Sequence, residues 1–293
     1  MQDWISYRNQ GPRLWPLYGK AVVPRTRRPK NDDIRIPALQ TELIGTATGG
    51  NRLHRYRELC GFARRSTLPP TWPHVLAFPL HLKLLTEQAF PLPLLGLVHL
   101  RNRIIQQRAI GVGELLDIRA HLDGQTVSDR GLEFDLITEA WSAGKKVWEE
   151  VSTSLFREPR HNGASLKPTR TFPALPHYPN SLTLAAAASI GRQYGRLSGD
   201  LNPIHIHLLT AKVFGFPRAI AHGMWSQAHC IALLEQQQNW PGGPMTVACQ
   251  FKKPLLLPGT AQLNWQSNND HWDYQLLNTQ GNAPHLTGNI TFG

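Results

Sequence analysis

Cysteine is scarce in this chain: its 293 residues include only three, Cys60, Cys230 and Cys249. Because their number is odd and no two form a CxxC pair, we expect neither a disulfide framework nor a four-thiolate zinc site. Unpaired thiols fit a reducing cytoplasm. Long apolar runs are also missing, since residues 89–98 and 182–190 fall short of the ~18 residues that a membrane span needs. The N-terminus lacks the charged-then-apolar pattern of a secretion signal, so a cytoplasmic protein is expected.

Charged residues make up only 17% of the chain, and acidic residues are fewer than basic ones, 20 against 31. The net charge of +11 favours an anionic partner: nucleic acid, a membrane surface, a phosphorylated cofactor or an acidic carrier protein. Many of the basic residues lie within the first 35, where four prolines argue against regular structure. We interpret residues 1–35 as a basic N-terminal extension, either a solvated tail or a specific binding segment.

The length and a hydrophobic content of 41% allow two domains, each with its own core. The first, residues 36–156, is predicted to hold two helices and then short strands. Residues 157–181 are rich in proline and basic residues, which indicates a linker. The second domain, residues 182–293, is predicted to repeat the order of helices and strands. The predicted helices are 51–60, 71–86 with a kink at Pro79, 184–197 and 224–237; the predicted strands include 34–46, 246–257, 261–267, 272–278 and 288–292.

Short motifs of the first domain recur in the second at a nearly constant distance. Residues 56–62 (YRELCGF) match residues 194–200 (YGRLSGD), and the predicted helix openings around His74 and His222 also match. This pattern indicates an internal duplication, with chance agreement of short motifs as the alternative.

The two copies differ at three positions with catalytic potential. Where the second copy has Asp200, His205 and Gly223, the first has Phe62, Thr67 and Val75. We interpret the first copy as a scaffold and binding half and the second as the catalytic half.

Residues 194–224 place Asp200 and His205 five residues apart, around an Asn202-Pro203 turn, and Gly223 opens the next predicted helix. A carboxylate and an imidazole on one tight loop, near a helix N-terminus, can move protons beside a carbonyl group. The structural alternative makes Asp200 a turn residue and His205 a packed core histidine. A metal site is another alternative, but the chain has no HExxH spacing, so we expect none. The histidines that such a site would use are His205, His207, His222 and His229.

This stretch resembles the MaoC-like, or hydratase 2, family, whose members are (R)-specific enoyl-thioester hydratases and 3-hydroxyacyl-thioester dehydratases of hot-dog fold. The matching residues are Tyr194, Leu197-Ser198-Gly199-Asp200, Asn202-Pro203-Ile204-His205, Gly215-Phe216 and Ala221-His222-Gly223-Met224. One departure is His207, where many single-repeat members carry an acidic residue. The first half is similar to the degenerate repeat of two-repeat members. The resemblance therefore implies an α+β double hot-dog fold, in which two antiparallel sheets, each wrapped around one helix, join edge to edge.

The resemblance also implies roles for individual residues. Asp200 and His205 would form the acid–base pair, and which of them acts on C2 of the substrate stays open. The Gly223 backbone N–H would stabilise the oxyanion. Asn202 and His222 are assigned to the substrate pocket, where Asn202 would also hold the loop. Neither a metal nor a redox cofactor is implied.

The implied substrate is a thioester of coenzyme A or of acyl carrier protein, with the carrier protein as a possible partner. Basic residues would surround the mouth of the tunnel through which the thioester enters. The alternative is that the candidate residues simply lie on solvent-exposed faces of strands. These candidates are Arg101, Arg103, Lys252 and Lys253. The chain would work as a monomer, with its halves as a pseudo-dimer, or as a homodimer. Two other functions stay open: a hot-dog thioesterase, and a noncatalytic module that binds carrier protein or nucleic acid. The sequence contains no motif that supports nucleic-acid binding.

Overall fold

The computed structural model describes residues 4–21, 34–128, 130–157, 174–237, 240–241 and 243–293. Within them, the helices are α1 (Leu14–Ala21), α2 (Asn51–Cys60), α3 (Trp72–Leu85), α4 (Ile190–Ser198), α5 (Pro203–Ile206), α6 (Leu208–Val213) and α7 (Gly223–Glu235), with a 3₁₀ turn at Leu94–Gly96. The strands are β1 (Ile5–Arg8), β2 (Gln40–Ala47), β3 (Leu97–Gln106), β4 (Leu115–Ser128), β5 (Gly131–Ser142), β6 (Lys145–Phe156), β7 (Asn180–Ala186), β8 (Met245–Phe251), β9 (Gly259–Asn268), β10 (His271–Asn278) and β11 (Pro284–Phe292).

The described strands join into one sheet in the order β1-β2-β4-β5-β6-β3-β8-β11-β10-β9-β7. β1 runs parallel to β2, and the other pairs are antiparallel. β3 and β8 form the seam between the halves, with pairs from Arg101↔Gln250 to Gln106↔Met245. Joining the two sheets at this seam leaves neither seam strand as an exposed edge.

The long helices α3 and α7 lie at the centres of the two halves. Most of their side chains are buried, which is typical of helices that are apolar nearly all round. Pro73 lies in the first turn of α3, where a missing N–H removes no intrahelical hydrogen bond. α3 packs against β2, β4 and β5. His74 is the third residue of α3, whereas His222 is the N-cap of α7, so the predicted match of the two helix openings is displaced by three residues.

The prediction that residues 1–35 lack regular structure is wrong for two segments. β1 extends the sheet, with pairs from Ile5↔Thr41 to Arg8↔Ile44. α1 packs against α3 and tolerates Pro16 because this residue lies in the first turn. Half of the basic residues of the extension lie outside the described residues, namely Arg25, Arg27, Arg28 and Lys30.

The prediction of a helix over 184–197 is wrong in its first part. β7 pairs with β9 along its whole length, from Asn180↔Trp265 to Ala186↔Gly259, and α4 begins only at Ile190. Alanine favours helix, but β9 offers the backbone partners that decide the conformation of this run. The predicted linker therefore ends before residue 180, and its residues 158–173 lie outside the described residues.

The three cysteines, Cys60, Cys230 and Cys249, are buried and unpaired, as predicted. Burial raises the pKa of each thiol, so all three are protonated at neutral pH. Among the helices of the described residues, none has the length and apolar character that crossing a bilayer requires.

Candidate active site

Asp200 and His205 lie on the short connection between α4 and α6. The Asn202 side chain begins α5 by accepting a hydrogen bond from the Ile204 N–H (3.4 Å), and Pro203 occupies the first helical position, which it favours. This turn brings the two side chains to one place. One ligand atom each from Asp200, His205 and His222 lies within 4.8 Å of the others.

The His205 ring has a defined tautomer. Its Nδ1 lies 2.8 Å from the Ile220 carbonyl oxygen, which can only accept, so Nδ1 carries the proton. In the neutral ring, Nε2 is then an unprotonated base. Burial lowers the pKa of His205, and the attraction of Asp200 and the hydrogen bond to Ile220 offset this only in part. The ring is therefore neutral at pH 7.

The Asp200 carboxyl group is ionised. Its Oδ1 accepts a hydrogen bond from the Asn202 N–H (3.1 Å), and its Oδ2 lies 3.8 Å from His222 Nε2. Burial raises the pKa of Asp200, but the imidazoles of His222 and His205 and the Asn202 N–H lower it more. The side chain remains 32% exposed, so water or a substrate can reach it.

His222 holds the loop from the start of α7. Its ring stacks on His205, with ring centroids 3.7 Å apart, and also contacts Tyr194 at 4.9 Å. Because Nε2 lies 3.0 Å from the Asp200 carbonyl oxygen, it carries the ring's proton, and Nδ1 is buried without a partner among the described residues. Burial lowers the pKa of His222 to about 3, so the ring is neutral. Its predicted contact with substrate stays a prediction.

Gly223 is the first residue of α7, and its N–H therefore has no intrahelical partner. The N–H lies at the positive end of the helix dipole. Phe251 of β8 packs against this residue: a Cβ at position 223 would be 3.0 Å from Phe251 Cε1. The missing side chain thus lets Phe251 pack directly against the first residue of α7.

Two glycines that the sequence analysis did not single out bring α4 against the loop. A Cβ at Gly191 would lie 1.9 Å from the His205 carbonyl oxygen, and one at Gly195 would lie 2.7 Å from the Asp200 carbonyl oxygen. Any side chain at these positions would push α4 off the loop. Their spacing of four residues, which places both on one helix face, was the available signal.

The first half contributes a buried polar network that the sequence analysis missed. His74 Nδ1 in α3 lies 2.8 Å from Glu150 Oε2 in β6, and Asn102 Nδ2 donates to Glu150 Oε1 (2.6 Å). Gln227 Nε2 in α7 donates to Asn102 Oδ1 (3.0 Å). Burial opposes charge on both groups, but their mutual attraction outweighs it, raising the pKa of His74 and lowering that of Glu150. The His74–Glu150 pair of the first half is thereby connected to α7 at Gln227, four residues beyond Gly223.

The four candidates for a basic rim are exposed. Arg101 and Arg103 flank the buried Asn102 on β3, so they face the side of the sheet away from α7. Arg101 forms an ion pair with Glu133 (2.9 Å). The other two candidates, Lys252 and Lys253, directly follow Phe251 at the end of β8. Contact of these four side chains with substrate stays a prediction.

Asp200, His205 and His222 are also a described group whose side chains could hold a metal ion. His205 Nδ1 and His222 Nε2 already donate to backbone carbonyl groups, which leaves His205 Nε2 and His222 Nδ1 as lone-pair donors. In the described residues, His207 and His229 do not join this group: His207 Nδ1 accepts from the Leu209 N–H, and His229 Nδ1 lies 2.8 Å from the Cys60 carbonyl oxygen. The absence of a metal stays a prediction.

Two antiparallel sheets, joined through β3 and β8 with a central helix in each half, define a double hot-dog protein whose second half carries an acid–base loop. The family model for the MaoC like domain matches residues 176–287. The chain is 32% identical to 3-hydroxyacyl-thioester dehydratase X of Mycobacterium tuberculosis over 270 residues, which cover 92% of each chain. The chain therefore belongs to the MaoC-like dehydratase family, as the sequence motifs predicted.

Solved structures are similar in fold. The crystal structure of HtdX from Mycobacterium tuberculosis matches with a TM-score of 0.73 at 31% identity, covering 86% of this chain and 99% of that one. A MaoC-like dehydratase from Phytophthora capsici has a TM-score of 0.70 at 18% identity, with coverages of 90% and 98%. A further Mycobacterium tuberculosis protein, described as a double hot-dog fold, has a TM-score of 0.51 at 13% identity, with coverages of 92% and 99%. The predicted double hot-dog fold is confirmed.

Proposed function

We propose that the protein is an (R)-specific 3-hydroxyacyl-thioester dehydratase of fatty acid metabolism. This hydro-lyase converts 3-hydroxyacyl thioesters to trans-2-enoyl thioesters and catalyses the reverse hydration. The observation that carries the proposal is the pairing of an ionised Asp200 with a neutral His205 whose Nε2 can accept a proton. The activity named for the Mycobacterium tuberculosis relative supports the same reaction.

The protonation states of Asp200 and His205 fit the proton balance of this reaction. Dehydration breaks the C2–H and C3–O bonds, and the proton from C2 leaves with the C3 hydroxyl as water. Because Asp200 is ionised and the only ring proton of His205 is held by Ile220, the pair begins without a spare acidic proton. The pair therefore takes up the C2 proton and returns it to the departing hydroxyl, with no net proton uptake.

We assign to the Gly223 N–H the stabilisation of the negative charge that develops during the reaction. As the C2 proton leaves, charge grows on the thioester oxygen, and a backbone N–H at a helix N-terminus stabilises it. The position of Gly223 as the first residue of α7, where its N–H has no intrahelical partner, supports this role. Asn202 and His222 hold the loop, and their direct contact with substrate is part of the proposal.

The acyl group is proposed to arrive on coenzyme A or on an acyl carrier protein, both of which present a phosphorylated arm. The exposed Lys252 and Lys253, next to Phe251 and hence to Gly223, support entry from that side. Arg101 lies opposite Gln250 across the seam, and Lys252 Nζ donates to the Gln250 side chain (2.5 Å), so the two basic groups share the face of the sheet away from α7. Their contact is therefore proposed with the part of the phosphorylated arm that lies outside the pocket. Arg103 adds a third charge on the same strand face.

We also propose a division into an extension (1–35), a first repeat (36–156), a linker (157–181, shortened by β7) and a second repeat (182–293). Because the seam joins both halves within one chain, a monomer suffices for this arrangement, with a homodimer as the other possibility. Unpaired, protonated thiols support a cytoplasmic location.

Turnover of crotonyl-CoA and (R)-3-hydroxybutyryl-CoA tests the proposal. Asp200→Asn and His205→Ala are expected to lower kcat by about 10²–10⁴-fold, the usual contribution of acid–base groups. The matched controls are Asp273→Asn and His271→Ala, because these residues are an Asp–His pair away from the site, on β10, with a hydrogen bond of 3.1 Å. Wild-type turnover in both site variants would refute the proposal. Free thiol release as the main reaction of the wild type would favour a thioesterase instead.

A further inference from the structure

The N-terminal helix α1 reaches the loop that carries Asp200. The Tyr18 hydroxyl lies 2.6 Å from the Gly199 carbonyl oxygen and 2.7 Å from the Leu201 backbone nitrogen. These two groups belong to the residues directly before and after Asp200. From this geometry we infer that Tyr18 is a positioning residue of the active site, which holds the backbone on both sides of the catalytic carboxylate.

The directions of the two hydrogen bonds explain why a tyrosine suits this position. The Gly199 carbonyl group can only accept, so the phenol donates to it, and an oxygen lone pair accepts from the Leu201 N–H. Burial raises the pKa of Tyr18, so its proton is retained throughout the range in which the protein works. Phenylalanine would fill the same volume and lose both bonds.

The neighbouring groups depend on similar supports from the first part of the chain. The last carbonyl groups of a helix have no intrahelical partner. At the end of α4, Arg52 Nε donates to the Leu197 oxygen (3.0 Å) and Arg52 Nη2 to the Ser198 oxygen (3.4 Å). The Tyr18 hydroxyl donates to the next carbonyl group, that of Gly199. The carbonyl groups of three consecutive residues before Asp200 are therefore fixed by side chains more than a hundred positions away in sequence.

Helix α1 also packs against the loop at Gly199. A Cβ at Gly199 would lie 2.8 Å from Leu14 Cδ1 and 3.2 Å from Phe78 Cδ1, so Leu14 of α1 is packed directly onto the loop backbone. Within the Asp200 carboxyl group, only Oδ1 accepts a close hydrogen bond from the loop, whereas Oδ2 is 3.8 Å from His222 Nε2. The orientation of the Asp200 carboxylate thus depends on the backbone that Tyr18 holds in place. Helix α1, and not β1 of the same extension, therefore supports the loop that carries Asp200.

The inference rests on the proposed role of Asp200, and Tyr18→Phe tests it in the full chain. We expect kcat for crotonyl-CoA hydration to fall about ten- to a hundredfold, because a small misplacement of a reacting group has an effect of this size. KM should change by less than about twofold, since both hydrogen bonds of the Tyr18 hydroxyl are made to the loop backbone. Leu14→Ala, which loosens the seat of α1, should act in the same direction. Circular dichroism and thermal melting verify that each variant is folded.

Tyr7→Phe is the matched control, because Tyr7 lies in the same extension, on β1, and packs against the hydrophobic core. Wild-type kcat in this control, with the selective loss in Tyr18→Phe, supports the inference. Wild-type kcat in Tyr18→Phe, while Asp200→Asn is inactive, would overturn it and leave the proposed function intact. An equal loss in Tyr7→Phe would also overturn it. Full activity of Asp200→Asn would instead refute the proposed function.

Discussion

His222 stacks on His205 at 3.7 Å between ring centroids and at the same time donates a hydrogen bond to the Asp200 carbonyl oxygen. The His222 side chain thus contacts the His205 ring and also fixes the backbone at Asp200. Because burial keeps His222 neutral, this support adds no charge to the site at working pH.

Replacing His222 by phenylalanine separates these two effects. His222→Phe keeps an aromatic ring against His205 and removes the hydrogen bond to Asp200, so we expect kcat to fall about ten- to a hundredfold. His229→Phe is the matched control: His229 lies on the same helix, stacks on Trp225 and lies within hydrogen-bonding distance of the Cys60 carbonyl oxygen, away from the loop. Steady-state kinetics of both variants decide the matter. Equal losses would show that any disturbance of α7 has this effect.

The pH dependence of kcat should follow His205. The ring must be neutral to accept a proton, and burial lowers its pKa below the ordinary 6.5. Activity is therefore retained as the pH falls to 6.5 and is lost only below it, as His205 becomes protonated. Asp200, whose pKa lies below its ordinary 3.8, stays ionised throughout this fall. A pH–rate profile whose acid limb is centred above pH 6.5 would contradict this assignment.

The buried His74–Glu150 pair should matter for stability. His74→Ala leaves the fully buried Glu150 carboxylate without its imidazole partner, which is expected to lower the free energy of unfolding by about 3–5 kcal/mol. The control is Glu58→Ala, which breaks the exposed Arg64–Glu58 pair and should cost less than about 1 kcal/mol. Urea denaturation measures both. If His74→Ala lowered the free energy of unfolding no more than Glu58→Ala does, Glu150 would not need His74 as its partner.

Removal of metal ions should leave activity unchanged. The two protonated ring nitrogens of the site donate to the Ile220 and Asp200 carbonyl groups, so His205 and His222 are oriented by the protein itself. Dialysis against a chelator, followed by metal analysis and a crotonyl-CoA assay, checks this. Loss of turnover that a divalent ion restores would make Asp200, His205 and His222 a metal site.

Local motifs pointed to side chains that the structure brings together at Asp200, His205 and His222, and their catalytic roles stay a prediction. Asp200, His205, His222 and Gly223 lie within one stretch of sequence, and their hydrogen bonds are made largely inside it. The groups that support them could not be predicted in this way. Tyr18 reaches the loop only because α1 packs on α3, which no local pattern encodes.

The same distinction applies to the fold. Helices α2 and α3 were predicted within a residue or so because their apolar spacing and their first residues are local signals. The last residues of β7, 184–186, were mistaken for helix, since its alanines form a strand only where β9 supplies the partner. The Glu150 network was missed because it forms only when β3, β6 and the two central helices come together.

The transfer of the C2 proton by Asp200 and His205 is the central claim, and deuterium incorporation measures it most directly. The wild-type protein, incubated with crotonyl-CoA in heavy water, should form (R)-3-hydroxybutyryl-CoA that carries one deuterium at C2. Asp200→Asn and His205→Ala should incorporate it about 10²–10⁴-fold more slowly. Incorporation at the wild-type rate in both variants would contradict the account.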